Sequence, residues 1–364
     1  MSPRRIGAVI VKEAQEIARD PVTIGISLLL PLVMLFLFGY AISLDVEDVP
    51  MGVWDLDRTP ASRELLDAFV RSGYFRAAAP IGSPQELEAA LQRGSVKLAL
   101  VVPERFHAAL AHGESPPVQV LVDGTFSNVA QIVAGYADSI VASFRRPPQE
   151  PVRVELRVWY NPEMRSANYI VPGLFGVILM AFPPLLTALA VVREKETGSI
   201  QQIFASPLTC AEFLSGKLLP YALIAFVQIA MVIAAGLFWF DVPFRGSLGL
   251  LVAAGLVYVF TTVGLGLLVS TVTRSQVAAM LLALILTLMP SFLFSGFLFP
   301  IFTMPYMLQV YTRLFPSRYF VELSRDVAMK GAGLAEVWPN VALLAVYTAA
   351  VFLLAAWRFR KKVA

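Results

Sequence analysis

Hydrophobic residues along the chain collect into six long runs, at 21–44, 168–192, 217–240, 247–272, 277–299 and 335–357. Each is about 20 residues or longer, the length a helix needs to cross a ~30 Å hydrocarbon layer. The pattern predicts an α-helical integral membrane protein with six transmembrane helices. Pro31 is expected to kink the first, because proline removes a helix hydrogen bond. Pro172, Gly173, Pro183 and Pro184 are expected to break the second. In the fourth, Gly249, Gly255, Gly264 and Gly266 are small enough for another membrane helix to approach closely. The first run is too long for the apolar part of a cleaved signal peptide, and Glu13, Glu16 and Asp20 spoil the basic leader.

Between the runs the period changes. Within 1–20, Ile6, Val9, Ile10, Ala14 and Ile17 share one helical face, with Arg5, Lys12, Glu16 and Arg19 opposite. This predicts an amphipathic interface helix lying flat on the cytosolic membrane surface, although Glu13 interrupts its apolar side. From 45 to 167, strand-like and helix-like stretches alternate, which predicts an inserted mixed α/β domain. Strands are expected at 51–54, 97–102, 118–122 and 152–159, and helices at 62–71, 84–92, 104–111 and 128–144. The run Leu98–Val102 is apolar throughout, as in a strand covered on both faces. Segment 300–334 is too apolar for a solvated loop and too charged to span. It reads as outer-leaflet re-entrant or interfacial helices, with Arg313, Arg318 and Arg325 meeting lipid headgroups, an anionic substrate or Glu322 and Asp326, of which pairing and headgroups are favoured. A basic tail, 358–364, closes the chain.

Charge adds an orientation. Leaving out 45–167, twelve Lys and Arg residues flank the runs on the side of the termini and five on the other. The positive-inside rule then places both termini and 193–216 in the cytosol, with 45–167 extracytoplasmic. Composition removes other classes. The chain is 57% hydrophobic and 15% charged, against about 25% charged in soluble domains. A net charge of +3, with no basic run interleaved with aromatics, gives no reason to expect nucleic acid. One cysteine, Cys210, excludes an internal disulfide framework. His107 and His112 are five apart, off the spacing that presents two metal ligands on one helix face. Asp55, Asp57 and Asp123 follow strands, where ligands collect, but their neighbours read as turns and helix caps. No constellation supports a membrane enzyme.

Segment 193–216 carries Ile200, Ile203, Phe204 and Leu208 on one face and Glu194, Lys195, Glu196, Gln201 and Gln202 as polar residues, with Gly198 permitting a break. Such a surface lies on lipid or in a partner's groove. Gly216-Lys217 is not a phosphate loop, because Leu218 follows and Ala211 stands where the first glycine belongs. Any ATP-derived energy has to come from another polypeptide. Gln228, Thr287, Ser291 and Ser295 are among the few polar residues in the runs and the candidates for a substrate path; the alternative is that they satisfy their own helices.

Several short stretches together resemble the permease subunits of ABC-2 type transporters, in the multidrug-efflux-like subgroup with a large extracytoplasmic domain after the first span. They are Arg19-Asp20-Pro21, the stretch REKETG at 193–198, Ser206-Pro207, Glu212 with Gly216-Lys217, SGFLFPIFTMP at 295–305 and RDVAMKGAG at 325–333. Thr197 departs from the bulkier polar residue usual at its position. The resemblance implies a type V exporter-like fold in a bacterial inner membrane. It implies two permeases paired, as a homodimer or with a similar chain, each docked to an ATP-binding subunit that uses ATP and Mg, with no cofactor in this chain. It maps coupling onto Arg193, Glu194, Lys195, Glu196, Thr197, Gly198, Ile200, Ile203 and Phe204, with 1–20 as a second contact. Membrane lipids and a periplasmic adaptor are further expected partners. The sparse polar groups suit a hydrophobic or amphiphilic substrate, drug-like or lipid-like. The alternative is a receptor or scaffold whose outer domain binds an envelope partner.

Overall fold

The computed structural model describes residues 2–42, 48–114, 116–124, 127–144, 160–161, 165–199 and 208–358. They form two compact units, Met1–Ile42 with Trp159–Ala364, and Ser43–Val158.

The first unit begins with α1 (Pro3–Ala18) and α2 (Pro21–Ala41). Asp20 caps α2, its carboxylate accepting from the Thr23 N–H at 3.0 Å and the Thr23 hydroxyl at 2.8 Å, and Pro21 occupies the first turn, where no N–H is needed.

The second unit holds a four-stranded sheet ordered β2-β1-β3-β4, with β1 (Val49–Asp55), β2 (Phe75–Pro80), β3 (Leu98–Val102) and β4 (Gln119–Val122). β1 runs parallel to β2 and β3, and β3 antiparallel to β4. Helices α3 (Pro60–Arg71) and α4 (Pro84–Gln92) are the crossovers, followed by α5 (Phe106–Ala111) and α6 (Ser127–Phe144). β3 is buried at every residue, as its sequence requires. One face packs Met51, Leu65, Phe69, Leu98, Leu100 and Val133; the other packs Ile81, Leu87, Ala99 and Val101. β2 was not expected, because its stretch FRAAAP has a weak strand signal. The strand expected at 152–159 lies outside the described residues. Asp55 is turn chemistry, accepting from the N–H groups of Asp57 and Arg58 at 3.0 Å and from the Ser62 hydroxyl at 2.6 Å, whereas Asp123 pairs with Lys97 at 2.7 Å.

The first unit resumes with α7 (Ser166–Glu196), α8 (Cys210–Phe238), α9 (Leu248–Val272) and α10 (Gln276–Phe294). Two short helices follow, α11 (Tyr306–Thr312) and α12 (Pro316–Arg325), before a π-helical turn at Asp326–Lys330 and α13 (Leu334–Arg358). Among the described residues, six helices are long and apolar enough to cross a membrane: α2, α7, α8, α9, α10 and α13. α7 is buried along most of its length, while only a small share of α2, α10 and α13 is buried. The prolines do not break α7: it is one helix from Ser166 to Glu196. The Thr187 hydroxyl donates to the Pro183 carbonyl at 2.8 Å, and Gly266 of α9 packs against the Pro184 carbonyl. Enclosure by neighbours holds the backbone that proline alone would release.

Candidate functional site

The last turn of α7 is Arg193–Glu196, and each of its four side chains reaches a different neighbour. The Arg193 guanidinium stands 3.6 Å from the Asp20 carboxylate at the start of α2. Glu194 turns inward and accepts from Lys12 of α1 and, at 3.2 Å, from Lys217 of α8. The Lys195 ammonium donates to the carbonyls of Ser270 and, at 3.3 Å, Thr273, covering the C-terminal end of α9. Glu196 accepts from the Gln276 N–H at 3.0 Å and from its side-chain amide, at the start of α10. Thr197 then folds its hydroxyl back onto the Arg193 carbonyl at 3.0 Å. Gly198 leaves the helix at φ +75°, the left-handed conformation that glycine takes without strain. The stretch REKETG is thus a hub with a stop. Ile200, Ile203 and Phe204 lie outside the described residues.

Glu13, the apparent flaw in α1, is the centre of a buried network. Its carboxylate lies 2.8 Å from the Lys217 ammonium, and both side chains are 1% exposed. Lys217 also approaches the Ala190 carbonyl at 3.4 Å and lies over the Phe213 ring. Lys12 lies 3.2 Å from Glu13 and 3.1 Å from Glu16, besides its bond to Glu194. Burial works against the Lys12 charge, but the hydrogen bond and field of Glu194 outweigh it and hold its pKa above the ordinary lysine value. Stability gained this way is present below the ordinary lysine range and is lost only as pH rises past it, so Lys12 stays charged at neutral pH. The carboxylates of Glu13, Glu16 and Glu194 converge closely enough to hold a metal ion, but the Lys12 ammonium touches all three. The cation they hold is a lysine.

α1 is fixed by protein contacts along α8 rather than resting on lipid alone. Val9 seats on Gly216, where an added Cβ would come within 2.5 Å of it. The Ser2 N–H donates to Glu212 at 2.6 Å, and Arg5 stands 3.8 Å from the same carboxylate. Glu212 is also the second half of a capping box, accepting from the Thr209 N–H at 2.9 Å while the Thr209 hydroxyl accepts from the Glu212 N–H at 3.2 Å. A cavity of about 490 Å³ opens between α1, α2, α7 and α8, with Ile17, Ile24, Leu186, Leu189 and Ile224 as apolar wall and Glu16, Asp20, Arg193 and Tyr221 as polar wall.

The four candidate path residues are buried and do not form one surface. The Gln228 amide donates to the Ser27 carbonyl of α2 at 2.8 Å. Thr287, Ser291 and Ser295 lie along α10, with the Thr287 and Ser295 hydroxyls donating to the carbonyls of Ala283 and Ser291 four residues back. With Ala279 and Ala283 they make a stripe of small residues along α10, which packs on α7.

At the opposite end of the bundle, Arg325 corrects an expectation. It pairs with neither Glu322 nor Asp326; Asp326 instead pairs with Lys330 at 2.6 Å. Its guanidinium donates to the carbonyls of Tyr169 at 3.1 Å, Gly296 at 2.8 Å and Phe297 at 3.1 Å, and stacks 3.6 Å from the centre of the Tyr169 ring. This clasp joins α7, the SGFLF stretch and α12. Sequence reasoning missed Lys12, Glu13 and Lys217 as a network. The signal was two misplaced charges of opposite sign: an acid on the apolar face of α1 and a lysine at the mouth of an apolar run.

Residues 21–357 match a family described as ABC-2 family transporter protein. The chain is 32% identical over 365 residues to the probable multidrug ABC transporter permease YbhR of Escherichia coli strain K12, across 99% of both chains. It is 32% identical over 371 residues to the probable multidrug ABC transporter permease YbhS of the same strain, across 100% of this chain and 98% of the other. It is 28% identical over 328 residues to that strain's inner membrane transport permease YhhJ, across 86% of each. The match runs through all six long helices and both ends of the hub, and the chain belongs to the ABC-2 family of transporter permeases.

Proposed function

We propose that this chain is the transmembrane subunit of an exporter that moves a hydrophobic or amphiphilic molecule, drug-like or lipid-like, outward across a bacterial inner membrane. A separate ATP-binding subunit supplies the energy, using ATP and Mg. The observation that carries this reading is the hub at the end of α7. One short turn is tied to α1, α2, α8, α9 and α10, so a push delivered there reaches most of the bundle. Full-length similarity to proteins named as multidrug ABC transporter permeases supports the same reading.

In this proposal the hub, α1 and both termini face the cytosol, and 45–167 lies outside. Segment 193–204 docks the ATP-binding subunit and α1 makes a second contact. Because Glu194 is buried, the docking surface is carried by Thr197, Ile200, Ile203 and Phe204, while Arg193–Glu196 pass the movement on. A second permease pairs with this one, and the role proposed for the outer domain is to gate the exit or meet a periplasmic adaptor. The hydroxyls of Thr287, Ser291 and Ser295 become substrate contacts only where α10 parts from α7. Co-purification with the ATP-binding subunit tests the assignment. Ile203→Asp with Phe204→Asp is expected to cut recovery of that subunit by roughly tenfold or more, the loss typical of truncated apolar anchors. Intact assembly and transport would refute the docking role.

A further inference from the structure

Two kinds of link meet at the last turn of α7. The link to α8, Glu194 with Lys217, is buried at 7% and 1% exposure, and Lys217 passes it on to α1 through Glu13, itself 1% exposed, while Lys12 of α1 reaches Glu194 from a half-exposed position. Those to α2 and α10 are open to solvent. The Arg193 and Asp20 side chains are 66% and 35% exposed, and Glu196 holds Gln276 from an exposed position. On the α2 side, packing divides the same way. Val9 of α1 is seated against Gly216 of α8 without a gap. By contrast, the cavity separates Asp20, Ile24 and Ser27 on the α2 side from Leu186, Leu189 and Arg193 on the α7 side. Parting a buried ion pair leaves a charge stranded in protein, whereas parting an exposed pair leaves both charges in water, so the buried pair is by far the harder to break. A force on this end of the bundle therefore breaks the exposed links first.

We propose that α1, the last turns of α7 and the first turns of α8 are one rigid lever, locked by Glu13, Lys217 and Glu194 as positioning residues, and that α2 and α10 move against it. The inference rests on the exporter reading, in which the lever is the body that the ATP-binding subunit displaces. It goes further in naming what moves as a unit and where the bundle parts: along the cavity, whose wall already contains both Asp20 and Arg193 and the Gln276 end of α10. α1 is then not an accessory but half of the lever, and its buried acid is what makes it so.

Spin-label distances in the full chain test this, with Cys210→Ser as background and labels at exposed positions. Val11 on α1 is paired with Leu219 on α8, and separately with Leu281 on α10. With the ATP-binding subunit bound, the 11–219 distance is expected to stay single and narrow in ATP and in ADP, while the 11–281 distance shifts. In the permease alone, Lys217→Met and Glu13→Gln are expected to broaden the 11–219 distribution, and Lys217→Arg to restore it. Glu13→Gln keeps the Lys217–Glu194 pair, so it carries the test if Lys217→Met fails to fold. In vesicles, with rhodamine 6G as probe, transport per ATP hydrolysed is expected to fall roughly tenfold in Glu13→Gln, in the range of allosteric couplings, with hydrolysis retained. A nucleotide-dependent 11–219 distance in the unsubstituted chain, or unchanged widths in both variants, would overturn the lever. Failure of the ATP-binding subunit to associate would instead remove the exporter reading, and the widths measured without it would still decide the lock.

Discussion

Arg325 shows how a single charge is kept inside a membrane protein without an ion pair among the described residues. Its planar guanidinium spends three donors on three carbonyls from two separate stretches and lays its face on Tyr169. A lysine ammonium has the charge but neither the fork nor the plane. Arg325→Met is expected to remove three hydrogen bonds, leaving Gly296 with only the Tyr169 hydroxyl at 3.3 Å, and to destabilise the bundle by about 1–3 kcal/mol, the range for an unsatisfied buried polar group. Arg325→Lys should recover only part of that. Thermal unfolding in detergent measures both, and a lysine variant that melts like the unsubstituted protein would refute the account. At this scale the sequence was legible in part. It displayed Arg325 and Glu13 as oddities, but an oddity has no partner until the chain folds, and both partners lie far away in sequence.

Among the elements, the long apolar runs announced themselves, because length and hydropathy alone decide whether a helix can span. What local rules misjudged was α7, whose prolines argue for a break that enclosure prevents. The close contact of α9 with α7 depends on Gly266, where a Cβ would sit 2.4 Å from the Pro184 carbonyl and 2.8 Å from the Thr187 Cβ. Backbone cannot yield as a flexible side chain can. Gly266→Val is expected to push α9 away at a cost of about 1–3 kcal/mol or more, the usual range for overpacking. Gly249→Ala, which meets only the Ser247 hydroxyl at 3.7 Å, should change nothing. Equal melting temperatures for the two variants would show that the contact is not tight. β2 escaped notice for the opposite reason: three alanines and a proline carry little strand signal, and pairing with β1 supplies what they lack.

For the whole molecule, the exporter proposed above leaves energy conversion to another chain. Purified alone, the protein is therefore expected to show no ATP hydrolysis above a protein-free control, with hydrolysis appearing only when the ATP-binding subunit is added. Turnover by the permease alone would break that division of labour. The buried pair between Glu13 and Lys217 also sets an order of assembly. The two residues are separated by roughly 200 positions, which a ribosome adding about 5–20 residues per second covers in roughly 10–40 s. Throughout that interval α1 has emerged and α8 has not. Glu13 spends the time without Lys217, and α1 without the helix it packs on. The newborn helix comes to rest only once α8 has been made and has delivered its lysine.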